Sequence, residues 1–312
     1  MRHLALCLLL VGCPSADLSN DDDATDAPEP TDPLDLAALA SEQEVRSTIA
    51  ALQDLGTRYT FAPGNVDAQD YLVDRMAEYG FVTERDPFDV NGHEAANLVA
   101  RLPGLASPER VWIYSAHYDS TSSDPDNDAP GADDNASGVA GVLEAARILG
   151  GLGLDESIWF VFTGAEEQGS LGSAHMTEWL LEEDVDVQGV IAPDMIGYWP
   201  LGDEDLLDIL GDDESEHLVL HMADIATALD LPHKVWIQHA YCYGDDHTNF
   251  QEAGFPAITP MDCVEAHNLP ATGESTPHYH RVTDTLETLH LPFTTRVVGL
   301  TVATLADLAG VR

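Results

Sequence analysis

Short apolar runs alternate along this chain with stretches of helical periodicity, and that alternation restricts the fold more than any other feature. Residues 96–101, 111–116, 157–163 (S-I-W-F-V-F-T), 187–192, 235–238 and the F-P-A-I-T-P segment after Phe250 are short and β-prone, and 157–163 reads as a buried strand. Between them, residues 34–55, 68–79, 135–149, 172–182, 216–229 and 292–308 carry apolar residues at helical spacing. The pattern predicts an α/β protein, a three-layer α/β/α sandwich around a mixed, largely parallel sheet. A chain of 312 residues accommodates this as one domain.

Sites in open α/β sheets form at the carboxyl ends of strands. His117 and Asp119 (S-A-H-Y-D-S) follow the strand at 111–116, Glu166 and Glu167 (G-A-E-E-Q-G) follow 157–163, and Asp194 (A-P-D-M-I-G) follows 187–192. His117 and Asp119, two apart in extended chain, point to one face. Asp134 (G-A-D-D-N-A-S-G) directly precedes a helix, where an aspartate caps the N-terminus and keeps an oxygen free. Adjacent carboxylates after so apolar a strand repel one another unless a cation compensates. With metal present, one glutamate ligates while its neighbour handles protons. Singly, each of these residues has an ordinary explanation as a surface histidine, cap or turn acid. As an ordered set with one more histidine they complete the ligands for two zinc ions. Chemistry alone leaves that histidine open among His247, His267, His278, His280 and His290.

The order H-x-D, G-A-x-D-N-x-S-G, E-E, D-M, D-D-H-x-x-F-x-x-x-G-x-P-A and Y-H-x-x-x-D-T resembles the zinc-dependent aminopeptidases of the bacterial leucyl aminopeptidase, aminopeptidase S and aminopeptidase Y type. The likeness runs from about Leu52, through L-G-T-R-Y-T, to the C-terminal helix. It implies the zinc-exopeptidase (phosphorylase/hydrolase-like) fold and a dizinc metallo-aminopeptidase that removes an N-terminal residue from peptides. Asp134 would bridge both zincs, His117 and Asp194 completing one and Glu167 and His280 the other. Glu166 would be the general base, Asp119 would orient the His117 imidazole, and the Asp134-Asn135 peptide would be cis. A tyrosine near Cys242, either Tyr241 or Tyr243, would stabilise the oxyanion.

Met195, Ile196, Tyr241 and Tyr243 are candidates for an apolar slot favouring Leu, Met or Phe as the first side chain; Met195 and Ile196 read equally well as core. Cys242 and Cys263 form either a disulfide or a pair of buried thiols. Alternative functions within the same fold are a glutaminyl-peptide cyclotransferase-like enzyme, a carboxypeptidase and a non-catalytic member. The carboxypeptidase would need cations for a terminal carboxylate, and this chain has few.

The formal net charge of −44, with Lys234 as the single lysine, excludes nucleic acid as a partner. An acidic surface of this kind suits either a salty habitat or simple extracellular exposure. Residues 1–12 read as a signal peptide whose end, Leu10-Val11-Gly12-Cys13, resembles a lipobox; an ordinary secretion signal is the alternative. Residues 13–33 are an acidic, Pro-containing tether without large apolar content, and the catalytic domain is expected over 34–312. The expected protein is an exported monomer, either a cell-envelope lipoprotein held to the membrane only through Cys13 or a secreted enzyme.

Overall fold

The structure is a computed structural model that describes residues 31–199, 206–237, 244–262 and 276–312. Cys13, Tyr241, Cys242, Tyr243 and Cys263 lie outside the described residues. Two helices, α1 (Pro33–Ala37) and α2 (Glu42–Gln53), and a third, α3 (Pro63–Glu78), lead into the hairpin β1 (Thr83–Val90) and β2 (His93–Leu102). The alternating core follows: β3 (Ser107–His117), α4 (Gly138–Leu149), β4 (Glu156–Thr163), α5 (Leu171–Glu182) and β5 (Asp186–Ile191). Then come β6 (Leu207–Gly211), α6 (Glu216–Ala228), β7 (His233–Ile237), α7 (Asp246–Glu252), β8 (Ala257–Met261) and α8 (Leu291–Leu308).

The described strands form one sheet of order β1-β2-β4-β3-β5-β8-β6-β7. Its centre, β4-β3-β5-β8, is parallel, whereas β1 with β2, β2 with β4, and β6 with β8 are antiparallel. The mixed sheet expected from the alternation is therefore present, with the parallel portion where the apolar runs are longest.

The period of two along each central strand sorts side chains to opposite layers. Trp112, Tyr114 and Ala116 of β3 with Ile158, Phe160 and Phe162 of β4 pack into the large core beneath α1–α4, α6 and α8. Val111, Ile113 and Val161 face the other way and pack with Met176 and Leu180 of α5 and Phe250 of α7. These are the two helical layers of an α/β/α sandwich. No helix of the described residues is long and apolar enough to cross a membrane.

Several elements differ from expectation: β1, β6 and α7 form where the sequence pattern predicts none, and two helices have other bounds. The periodic stretch at 34–55 is two helices, because the Ser41 side chain caps α2 through the Glu44 N–H while its own N–H donates to buried Glu144 on α4 at 2.6 Å. Strand β1 lacks an apolar signature because its exposed positions are Glu84, Arg85, Pro87 and Asp89. Its clue was Asn91-Gly92, both with positive φ (55° and 86°), the two-residue turn that suits a hairpin. Helix α4 starts at Gly138 and not at Asn135, since Asp134 and Asn135 have non-helical backbone.

Candidate metal centre

The parallel strands β4, β3 and β5 are neighbours, so their carboxyl ends lie side by side. His117 is the last residue of β3, Glu166 and Glu167 follow the left-handed Ala165 after β4, and Asp194 follows β5. Asp134 reaches the same point from the irregular segment before α4, and His280 comes from the turn ahead of α8.

The His117 ring is 2% exposed and held between acids. Its Nδ1 is 3.6 Å from Asp119 Oδ1, while Nε2 lies 3.2 Å from Asp134 Oδ1 and 3.5 Å from Asp194 Oδ1. Asp134 turns its second oxygen to the other side: Oδ2 is 3.3 Å from His280 Nε2, which is 3.0 Å from Glu167 Oε2. Two groups of potential ligands result, His117/Asp134/Asp194 and Asp134/Glu167/His280, each with its ligand atoms within 4.8 Å of one another. Asp134 belongs to both.

Asp119, fully buried, stands behind this arrangement. Its oxygens accept the Glu166 N–H (3.0 Å), the Glu167 N–H (3.2 Å) and the Thr60 hydroxyl (3.1 Å). One carboxylate thus stands 3.6 Å behind the His117 ring and holds the turn bearing both glutamates. Glu166 belongs to neither ligand group; Ser170 Oγ donates to its Oε1 at 2.9 Å.

Expected capping of α4 by Asp134 does not occur. The Asn135 side chain accepts the Gly138 N–H instead (2.9 Å) and donates to the Pro193 carbonyl (2.9 Å), which leaves Asp134 free to face the histidines. Any larger residue at Gly138 would put its Cβ 2.4 Å from Asn135 Oδ1 and 2.8 Å from the Pro193 carbonyl. The Asp134-Asn135 peptide is cis.

The charge balance calls for cations. Burial raises Glu167 to about 8, with the Asp134 charge adding to it. Burial also lifts Glu166 well above the ordinary range, helped by Asp246, Asp194 and Glu167 and opposed by His117. Burial opposes the charge on His280, but Asp134 and Glu167 outweigh it and raise the imidazole to about 10. His117 is raised likewise, burial being overcome by Asp194, Asp119 and Asp134. Buried His117 Nε2, Glu167 Oε1 and Asp194 Oδ1 have no hydrogen-bond partner. Imidazoles pulled toward protonation, carboxylates pushed toward neutrality and orphaned buried ligand atoms, all around one point, fit divalent metal bound to nitrogen and carboxylate oxygen.

A sequence model of peptidase family M28 matches residues 97–305, most of the folded chain. The chain belongs to peptidase family M28. A relative of this M28 peptidase in Pyrenophora tritici-repentis, named "Probable zinc metalloprotease", is 28% identical over 341 residues, covering 90% of this chain and 70% of that one. The aminopeptidase from Aneurinibacillus sp. strain AM-1 has the same fold, with a TM-score of 0.74, 17% identity and coverage of 90% of this chain and 97% of that one. Porphyromonas gingivalis glutaminyl cyclase matches with a TM-score of 0.72 at 20% identity, over 86% of this chain and 99% of that one. The zinc aminopeptidase family read from the motif order, and the sandwich it implies, both stand.

This M28 peptidase brings together all seven residues expected at the centre, His117, Asp119, Asp134, Glu166, Glu167, Asp194 and His280. Of the pocket candidates, Met195 packs beside the centre with Leu210, Met261, Trp236 and Tyr279. Ile196 joins the main core instead, because its N–H is held by Ser137 Oγ (3.1 Å) and its side chain turns inward.

Several residues at the site went unassigned in the sequence. The Tyr279 ring stacks on His280 with centroids 3.7 Å apart. Asp245 and Asp246 bring two more acids, their pKa values raised by burial first. Fully buried Arg58 donates to the carbonyls of Tyr118, Pro130 and Gly131. Tyr279, the D-D-H acids and Arg58 all sit inside quoted motifs, so the signal was present without a role attached to it.

Proposed function

We propose that this M28 peptidase is an aminopeptidase that works with two zinc ions. The observation that carries the reading is Asp134, whose two carboxylate oxygens face separate histidines in two ligand groups, one buried and one partly open. His117 and Asp194 would hold one ion, Glu167 and His280 the other, with Asp134 shared. When bound, the ions supply Lewis acidity toward the scissile carbonyl and acidify water.

The remaining roles fall to the chain. Glu166, outside both ligand groups, is the general base and later the general acid: its carboxylate takes a proton from the attacking water and hands it to the leaving amine. Ser170 orients that carboxyl. Tyr279 stays protonated, because burial and then the charges of Asp134, Glu167 and Asp194 raise its pKa, and its phenol donates to the oxygen that gains charge. Selection of free amino over free carboxyl termini is supported by the lack of an available cation here: Arg58 is fully buried and its guanidinium is engaged by three carbonyls, so it is not available to a terminal carboxylate. Apolar Met195, Met261 and Trp236 beside Tyr279 favour an apolar first side chain.

The likeness to the Porphyromonas gingivalis cyclase supports glutaminyl cyclisation as a second reading. Both readings are tested by leucyl p-nitroanilide and glutaminyl peptides, given to full-length wild type and Glu166→Gln of measured zinc content. The expected result is chelator-sensitive nitroaniline release with two zincs per chain, and a Glu166→Gln variant that retains both ions but is slower by about 10²- to 10⁴-fold. Cyclised product without hydrolysis would select the second reading.

A further inference from the structure

The segment carrying Asp134 is fastened on two sides. Toward Asp194, the Asp133 carboxylate accepts the Gly197 N–H (2.7 Å), Asn135 Nδ2 donates to the Pro193 carbonyl (2.9 Å), and Ser137 Oγ accepts the Ile196 N–H (3.1 Å). These bonds bind it to the loop that presents Asp194. Toward His280, the fastening is made by Asp284, 3% exposed. Its Oδ1 accepts the Asp133 N–H (2.9 Å), its Oδ2 the Asp134 N–H (3.1 Å), and its carbonyl the Ala132 N–H (3.2 Å).

Asp284 lies four residues after His280 in a compact turn, with Arg281 N–H donating to the His278 carbonyl and Asp284 N–H to the Arg281 carbonyl, both at 3.0 Å. The turn that brings His280 Nε2 to Asp134 Oδ2 therefore also grips the Asp134 backbone. His117 is the last residue of β3, which is paired on both sides, and Asp194 sits past the end of β5 on the loop that those three bonds fasten. His280 has no strand behind it, and a positive φ of 53°.

We infer that Asp284 is a positioning residue that joins the His280 turn to Asp134 and so sets the affinity of one metal position, Asp134/Glu167/His280, in preference to the other. The inference rests on the two-zinc reading. Ligand atoms must be held to about 0.2 Å, and loss of a group that orients a ligand weakens metal binding by about 10- to 100-fold. Asn at this position keeps one acceptor oxygen but sets an amide NH₂ against the other backbone N–H. Ala removes both acceptors.

The test is a competitive-chelator zinc titration of the full chain, resolving two dissociation constants, with cobalt(II) absorption spectra of each loading step. Asp284→Asn and Asp284→Ala are compared with Val297→Ala, a cavity in buried α8 that reports general destabilisation. The expected result is that one constant, the one that His280→Ala also weakens, rises about 10- to 100-fold in Asp284→Ala, and less in Asp284→Asn, while the other stays within about 3-fold. The cobalt spectrum of that ion alone should change, and Val297→Ala should move neither constant. Equal weakening of both constants, or no change in either, overturns the inference while leaving the two-zinc reading intact. A wild type that binds a single ion overturns that reading and the inference with it.

Discussion

Replacing Arg58 with Met tests whether one buried cation holds the loop that joins the two halves of the centre. Arg58 is 0% exposed; its Nε, Nη1 and Nη2 donate to the carbonyls of Tyr118 (2.8 Å), Pro130 (2.7 Å) and Gly131 (2.8 Å). Those residues bracket the connection from His117 to Asp134. Burial lowers the guanidinium to about 10, against the opposing pull of Asp284, Asp119 and Asp134, so it remains charged at neutral pH. Each hydrogen bond from a charged donor contributes about 1.5 kcal/mol at the low end, and losing three, two of which leave a carbonyl orphaned while Gly131 keeps the Ala136 N–H, gives a loss of about 4 kcal/mol. The methionine stem replaces apolar contact the arginine stem already made, so little is recovered. For a domain of this size the loss corresponds to a fall in Tm of about 10 °C. Arg58→Lys should fall about halfway, because one ammonium cannot reach carbonyls that the planar fork spans. Urea unfolding at pH 7 in chelator measures the effect without metal, and zinc titration should show weaker binding. A metal-free Arg58→Met protein within about 1 kcal/mol of wild type would refute the reasoning.

Three further outcomes are expected. Tyr279→Phe should lower kcat by about 10²- to 10³-fold at unchanged zinc content, read by steady-state kinetics and metal analysis, since only a donor to the developing charge is lost. In the metal-free protein Glu167 sits at about 8 against an ordinary 4.5, and Asp284 at about 7 against 3.8, burial being the larger cause of both. Folded protein thus binds more protons than unfolded between those limits, and its Tm should fall as pH rises from 5 to 8. Zinc-loaded protein should lose that slope; a flat metal-free profile would contradict it. With a formal net charge of −44, self-repulsion should be relieved by salt. Raising NaCl from about 0.1 to about 1 M shortens the screening length from about 10 to about 3 Å and should raise Tm in a thermal melt of the zinc-loaded enzyme.

Local chemistry made much of this protein legible in one dimension. Ser157–Thr163 can be little but a buried strand, because no surface accommodates so many large apolar side chains in succession, and two adjacent glutamates after it demand a cation. The same logic placed His117 and Asp194 after strands, and His117 is the last residue of β3 while Asp194 lies on the loop after β5. Where the determining contacts are distant in sequence, the reading failed. The helix expected at 34–55 breaks at Ser41, whose N–H meets Glu144 more than a hundred residues away. Asp134 looked like a helix cap, but Asn135 takes that bond because Pro193 anchors the other end of its amide.

The sequence by itself determined the α/β class, the ligand types and their order, since these depend on hydrophobic period and on which side chains can hold metal. The choice of His280 among histidines equivalent by chemistry came from the order of motifs, and only the tertiary structure set it 3.3 Å from Asp134 and brought Tyr279, Arg58 and Asp284 to the same centre. Side-chain type is written in each residue; proximity arises when residues 58, 134 and 284 are packed together by a core that none of them specifies alone.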